Sequence, residues 1–519
     1  MFEIILALMP FAMGILQDWA GGVLSLILLI MIIIKAAKSD DFRFPMDMLF
    51  AAACLIPLSF AVSPLWAVDK GVTVLGFTKY LPLPLTIVLL RQYKKPLDLL
   101  RYIPWSGAVM TVLSLIFGLI FKTPFMVDGR LSGFFGNPGA FALLLLVGIC
   151  YILFKDSITK LDYCLGAVLV AGVILSRSYV SLALLFVIAI VHIVLSKKKV
   201  LGAVIAALSA RSAVAFIVVF GAPQVSERLL YVKDAFFQII KHPLGLGYLG
   251  FYYSQPMFQT GDYSTTVVYN DLFQILIDIG WIPTLILGIA AIRNFIKIDR
   301  RYKIISAVMF AHLLFEADMQ FVVLAVIFFA ILIDYEADPE ILKKKVSPIA
   351  VFTVATLLGI YFAIPSFLSF MGKDALAVKV YPCYTKSQIV LLSEAESVEA
   401  VDEYADKVLE YNDSVSIAYS AKARSAFSRA EVKDMIKFKT AAIERNKYSI
   451  VEYTDYIDML VYYANLYIEA EDYDSAQFCT DKLKEVSDMI DKVNKETSSL
   501  SDTEDLVLPE EYSKIVASV

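Results

Sequence analysis

Four polar stretches interrupt an otherwise apolar chain, and their residue types point to anion binding and proton transfer. In "DGRLSGFFGNPGAFALLLL", Arg130 precedes a glycine-rich turn, and Asn137 with Pro138 has the N-cap and first-turn chemistry that starts a helix. The free amides of that helix start and Arg130 would together make an anion-friendly spot; the alternative is a cap beside a membrane-surface arginine. In "LSRSYVSLALL", Arg177 sits in a turn of a few residues between two apolar runs, where a phosphate is its natural partner and a lipid headgroup the plainer one. "FAHLLFEADMQF" puts His312 and Glu316 at i, i+4 spacing, with Asp318 at the following turn. Ionisable groups in an apolar run are costly, so this set reads either as a pair that deprotonates or positions a hydroxyl, or as a buried pair holding helices together. Arg211, midway along "ALSARSAVAF", reads as half of an internal ion pair, with substrate contact as the lesser alternative.

The fourth stretch is "SERLLYVKDAFFQIIKHPLGLGYLGFYYSQPMFQTGDYSTTVVYNDLFQILIDIGWIP". It opens with an amphipathic helix carrying Arg228, Tyr231, Lys233 and Asp234, then turns at His242 to Gly247. Gly245, Gly247 and Gly250 match G-x-G-x-x-G, but no strand precedes them, so nucleotide binding is rejected. The aromatic and hydroxyl-rich segment Phe251 to Tyr269 would line a sugar-sized cleft or lie on a bilayer surface.

The elements that must position these groups are set by composition. Of 519 residues, 59% are hydrophobic and 19% charged, which departs from the soluble norm far enough to require a membrane. The expected fold is all-α: a polytopic membrane domain over 1–371 followed by a soluble helical domain over 372–519. Thirteen apolar runs, from 2–16 to 348–370 and including 71–90, 200–220 and 272–292, are predicted to cross the bilayer. The first run lacks a basic leader and a small-residue cleavage site, so a removed signal peptide is not expected.

Lys and Arg concentrate in alternate loops, among them "RQYKKPLDLLR", "KDSITK", "SKKK", "RNFIKIDRRYK" and "KKK" at 343–345, which predicts a cytoplasmic N-terminus. The loop 221–271 and the tail then face outward; the resemblance described below implies that the membrane is a bacterial plasma membrane. Residues 372–519 carry 17 basic and 29 acidic side chains, a net of −12 in a chain whose total is −5, so the sign of the charge reverses at the domain boundary. Apolar residues recur there at three-to-four spacing, and "YYANLYIEAEDYDSAQFCTDKL" resembles a tetratricopeptide unit, a generic helical bundle being the alternative. The net charge excludes a globally basic nucleic-acid binder. Five cysteines without C-x-x-C spacing and three scattered histidines predict neither a structural metal nor a cofactor site, and pairing of Cys383 with Cys479 stays open.

In order and spacing, "RLSGFFGNPGAFALLLL", "LSRS", "ERLLYVKDAFFQIIKHPLGLG" and "VYNDLFQILIDIG" resemble the O-antigen ligase and polymerase superfamily of bacterial envelope enzymes, over roughly residues 50–335. A helical tail is similar to that of its Gram-positive members. The resemblance implies a GT-C-like, metal-independent and inverting glycosyltransferase that moves a glycan from undecaprenyl pyrophosphate to a lipid, glycan or protein acceptor outside the membrane. By the same resemblance Arg177 and Arg228 would hold the pyrophosphate, and the residue types add Arg130 and Lys233 to that set. Asn137, His242 and Asn270 would contact the glycan or acceptor, and the catalytic set would come from Tyr269, Asp271, His312, Glu316 and Asp318. The chain departs from the pattern at Tyr269, where many ligases have histidine; with a pKa near ~10 tyrosine is a poor base, and Asp271 or the His312 set would substitute. Two other classes compete with this one: a non-catalytic scaffold of envelope assembly, and a lipid-linked glycan transporter.

Overall fold

The computed structural model describes residues 2–38, 42–93, 96–121, 124–155, 157–195, 199–335, 340–341, 346–502 and 504–518. The lysines of "SKKK" at 197 and 198 and of "KKK" at 343–345 lie outside these. The described chain is all-α apart from two-residue strands, Arg43–Phe44 against Glu340–Ile341 and Met126–Val127 against Arg130–Leu131. It divides into two compact units: 1–62, 74–224 and 268–366 form the first, and 63–73, 225–267 and 367–519 form the second. The second unit thus takes in most of the 221–271 loop and a short early segment, in addition to the acidic tail.

Among the described residues, four helices are long and apolar enough to cross a membrane: Asp18–Lys38, Met48–Leu65, Tyr102–Phe121 and Ser347–Phe370. Shorter apolar helices accompany them. Their outer faces are hydrophobic; on Trp281–Lys297 the side chains Ile282, Leu285, Ile289, Ile292 and Ile296 recur at three-to-four spacing and are all exposed. Water would not tolerate such a stripe on a monomer, whereas lipid tails would.

The helices that matter for the site are α1 (Pro138–Leu153), α2 (Lys160–Ser176), α3 (Tyr179–Leu195), α4 (Lys199–Lys241), α5 (Asp271–Ile279), α6 (Trp281–Lys297) and α7 (Arg300–Leu313). Local chemistry sets their ends. Asn137 Oδ1 accepts the Ala140 N–H at 3.0 Å ahead of Pro138, and Asn270 Oδ1 accepts the Phe273 N–H at 3.1 Å. Thr159 and Asp162 form a reciprocal capping box at the start of α2.

Three expectations change. The run 272–292 is two helices, because Gly280 at φ 80°, ψ −177° takes a conformation closed to other residues and separates α5 from α6. The run 71–90 is likewise split into Val74–Tyr80 and Pro82–Leu90, the second starting on a proline that cannot donate within the preceding helix. The run 200–220 and the amphipathic helix after it are one 43-residue helix, α4. On it Arg211 is exposed and makes no ion pair among the described residues; the side chains of 212–224, beside it on the same helix, lie outside them.

The second unit packs its helices as successive pairs, Ser416–Ser428 on Val432–Arg445 and Ile450–Glu469 on Tyr473–Glu496. Its core is Met435, Tyr453, Tyr456, Leu460, Cys479, Leu483 and Val486. The acidic turn expected between the last pair is present: Glu471 takes φ 57° and Asp472 Oδ1 accepts the Ser475 N–H at 3.1 Å. Cys383 and Cys479 are both free thiols.

Candidate active site

A chain of polar contacts in the first unit joins residues from five elements. It begins at Arg130, on the two-stranded hairpin, whose Nε donates to the Ser176 carbonyl at 3.1 Å. That carbonyl is at the C-terminal end of α2, where a cation is electrostatically favoured. The next residue, Arg177, is exposed and left-handed at φ 50°. Glycine usually occupies such a helix end, and a side chain there carries roughly 1–2 kcal/mol of strain. The Arg130 side chain is therefore tied to the backbone of the turn that carries Arg177.

From this turn the contacts run inward. The Ser178 N–H donates to Ser176 Oγ at 3.4 Å, Ser181 Oγ lies 2.9 Å from Ser178 Oγ, and Ser181 Oγ lies 2.8 Å from His312 Nε2. On the other side of the ring, His312 Nδ1 is 2.6 Å from Asp318 Oδ2. The Asp318 and Met319 amides then donate to Asp271 Oδ2 at 2.7 and 3.1 Å. Ser181, His312 and Asp318 are fully buried and Asp271 nearly so. Asp318 Oδ1 is buried with no hydrogen-bond partner among the described residues, a costly state that wants a polar visitor.

One hydroxyl proton cannot serve both neighbours of Ser181. Either Ser181 donates to Nε2 of an Nδ1–H imidazole, or an imidazole carrying Nε2–H donates to Ser181, whose hydroxyl then donates to Ser178 Oγ. An Asp318 carboxylate on Nδ1 orients the ring and stabilises it when both nitrogens are protonated. The row of hydroxyl, imidazole and carboxylate can thus take up a proton at one end.

The expected His312 and Glu316 pair on one helical face is not what forms. The helix stops at Leu313, so Glu316 lies in the turn beyond it, 4% exposed. Its carboxylate packs against Gly139, in the first turn of α1: a Cβ there would come within 2.9 Å of the carboxyl carbon and 3.0 Å of one oxygen. The anion-friendly helix start expected beside Arg130 is filled by the chain's own carboxylate. Asn270 Nδ2 donates to the Leu314 carbonyl at 2.9 Å, tying the start of α5 to the same turn. Tyr269, just before it, is half-buried at φ 54°, the second non-glycine candidate in this strained region. Inward of Asp271, a mostly apolar cavity of about 130 Å³ is lined by Tyr80, Asp271, Asp278, Leu313, Leu314 and Met319, among others.

The other candidates belong to the second unit. Lys233 Nζ donates to Thr260 Oγ1 at 3.2 Å, and Asp234 accepts the Thr260 N–H, the Thr260 hydroxyl and the Tyr263 hydroxyl at 2.8, 2.7 and 2.9 Å. These contacts hold the 259–263 loop. Arg228 is half-buried and His242 exposed. Part of the segment expected to line a cleft packs inward instead, with Phe251, Ser254 and Gln255 buried. The glycine-rich turn has a packing role: Gly247, at φ 81°, leaves no room for a Cβ, which would stand 2.5 Å from both Ala67 and the Thr73 hydroxyl.

Two features escaped the sequence reading. Ser178 and Ser181 announce themselves only as an i, i+3 serine pair after Arg177. Asp69 is fully buried, and its carboxylate accepts the Gly71 and Val72 amides at 2.9 and 2.7 Å, the Thr385 hydroxyl at 3.2 Å and Asn412 Nδ2 at 3.0 Å.

No protein-family model matches the chain, and neither a curated protein nor a solved structure matches it.

Proposed function

We propose that the chain is an integral membrane glycosyltransferase that moves a glycan from undecaprenyl pyrophosphate to an acceptor hydroxyl outside the membrane, as the O-antigen ligase resemblance implies. The observation that carries this reading is the row from Arg130 and exposed Arg177, through Ser181 and His312, to Asp318 and Asp271. On this reading Arg130 and Arg177 supply positive charge at one end of the row and the His312–Asp318 pair a proton acceptor at the other, the two demands of displacement at an anomeric carbon. The acceptor oxygen bonds to that carbon as its bond to the pyrophosphate oxygen breaks. The pyrophosphate leaves with the electron pair, which Arg177 and Arg130 stabilise, and the acceptor proton passes to the Asp318–His312 pair. Asn270 and Asp271 position the turn that bears Asp318. The apolar cavity beside Asp271 suits a donor with a hydrocarbon carrier.

On this reading the apolar helices make about thirteen crossings with a cytoplasmic N-terminus, in a GT-C-like arrangement. The helix pairs after 372 are a tetratricopeptide-like domain outside the cell, where Arg228, Lys233 and His242 of the second unit also lie. The test is release of undecaprenyl pyrophosphate by the reconstituted chain given its host's lipid-linked glycans. Release that Arg177→Ala abolishes supports transfer; an intact donor with no release from the wild type would turn us to the scaffold reading.

A second reading has one observation in its favour, because Ser181, His312 and Asp318 also have the spacing of a nucleophilic serine triad. Covalent labelling of Ser181 by a fluorophosphonate would establish it in place of transfer.

A further inference from the structure

The three helices that bring Asn137, Ser181 and His312 to the candidate site run away from it, and their far ends enclose a second cavity. The α1 C-terminus, the α3 C-terminus and the α7 N-terminus contribute Leu153, His192, Leu195, Arg300 and Arg301, with Lys155 and Asp299 beside them, around about 580 Å³. With α1 of 16 residues, this cavity lies ~24 Å from the candidate site along the helix axis. Its walls are mostly polar and basic. Lys155 is paired with Asp162 at 3.0 Å. Arg301 lies 4.0 Å over the Tyr151 ring and donates through Nη2 to the Tyr151 carbonyl at 2.6 Å, which leaves its buried Nε without a partner among the described residues. Arg300 is exposed and forms no ion pair among the described residues. Two guanidinium groups therefore face one carboxylate, Asp299, at the positive end of α7, a balance that calls for a single negative charge.

A separate observation says what carries that charge. Leu153 also lines an apolar groove of about 270 Å³ between α1, α2 and α4, and so does Asp162, the partner of Lys155. The groove follows α2 from Asp162 to Ile174, about 18 Å of helix. Small residues, Gly166, Ala167 and Ala171, form its floor. A cationic cavity joined to a hydrocarbon-lined groove, at the end of a membrane helix set, has the two halves of a phospholipid site.

We infer that this cavity and groove bind an anionic phospholipid, its phosphodiester on Arg300 and Arg301 and one acyl chain along α2. The inference depends on the membrane reading and not on glycan transfer, so it survives a chain that releases no undecaprenyl pyrophosphate. On the proposed orientation the site faces the cytoplasmic leaflet, the one richer in juxtamembrane basic residues.

The test is native mass spectrometry of the full chain in detergent, titrated with phosphatidylglycerol, phosphatidylcholine or inorganic phosphate. Phosphatidylglycerol should be retained in preference to phosphatidylcholine, and Arg300→Ala should weaken its retention about fivefold. Because a Cβ at Gly166 meets nothing within 4 Å, Gly166→Phe should fold and fill the groove. It should weaken long-chain phosphatidylglycerol while sparing a short-chain one. Equal retention of the two lipids, or a preference that survives both substitutions, would overturn the inference. Displacement of phosphatidylglycerol by millimolar inorganic phosphate would overturn the lipid and leave a site for soluble phosphate.

Discussion

His312 Nδ1 stands 2.6 Å from Asp318 Oδ2, across the turn that ends its own helix, while Nε2 reaches Ser181 on another helix 131 residues away in sequence. The imidazole is held at both nitrogens, so its orientation is set before any substrate arrives. Asp318→Asn leaves the packing nearly unchanged but deprives the protonated ring of its counter-charge. Release of undecaprenyl pyrophosphate should fall by about 10²- to 10⁴-fold, the usual range for losing acid–base assistance, with helix content unaltered. Wild-type turnover in Asp318→Asn would remove the pair from the mechanism.

Gly139 and Glu316 form a close contact that admits no added atom. Gly139→Ala should destabilise the chain by about 1–3 kcal/mol, as overpacking does in a filled interior. Glu316→Ala in the same molecule should recover most of that loss, because the clashing carboxylate is gone. Chemical denaturation of the two single variants and the double variant measures the coupling, and additive effects would show that the two residues do not meet.

Arg177 combines backbone strain with exposure. Arg177→Gly should stabilise the chain by about 1 kcal/mol through relief at φ 50°, yet abolish transfer as Arg177→Ala does. Thermal melting and product release on the same preparations separate the two effects. If Arg177→Gly melts higher and still turns over, the guanidinium has no part in the reaction.

Asp69 predicts a pH dependence. Burial pushes its carboxyl up from 3.8 to about 6, against the pull of its amide, Asn412 and Thr385 donors. A folded value above the unfolded one means that folding favours the protonated form. The stabilisation is complete below about pH 4 and lost as the pH rises through about 6, a change of at most about 3 kcal/mol. The wild type should therefore melt lower near pH ~7.5 than near pH ~5, and Asp69→Asn should flatten this difference. An equal slope in both proteins would assign the dependence to other groups.

The all-α class was legible because helix signals are local: apolar runs, three-to-four spacing in the tail, and the Asn137 cap all act within a few residues. Breaks inside a run were not. Gly280 and the proline at 82 divide segments whose hydrophobicity continues on both sides, and hydropathy does not register a φ angle. The same limit explains Glu316. Its i, i+4 spacing from His312 persists in the sequence after the helix itself has ended at Leu313. Among the candidates, Arg130, Arg177, His312 and Asp318 stand out by residue type in mostly apolar surroundings, and Asn270 and Asp271 by the motif resemblance. Ser181 and Asp69 escape a local reading because His312 is 131 residues from the first, and Thr385 and Asn412 are more than 300 from the second, separations no local pattern records.

The Asp69 contacts bear on how the protein can be divided. Thr385 and Asn412, in the acidic tail, supply two of the donors to a carboxylate in the segment 63–73. Removing the tail to obtain a minimal membrane fragment would strip that segment of both donors and leave the Asp69 carboxylate with its two backbone amides alone. Such a fragment would misbehave for reasons unrelated to catalysis, so loss of activity on truncation would not identify the tail as a substrate-binding module. Point substitutions on the tail surface, with Asp69 and its donors untouched, are the sound way to ask what the tail recognises.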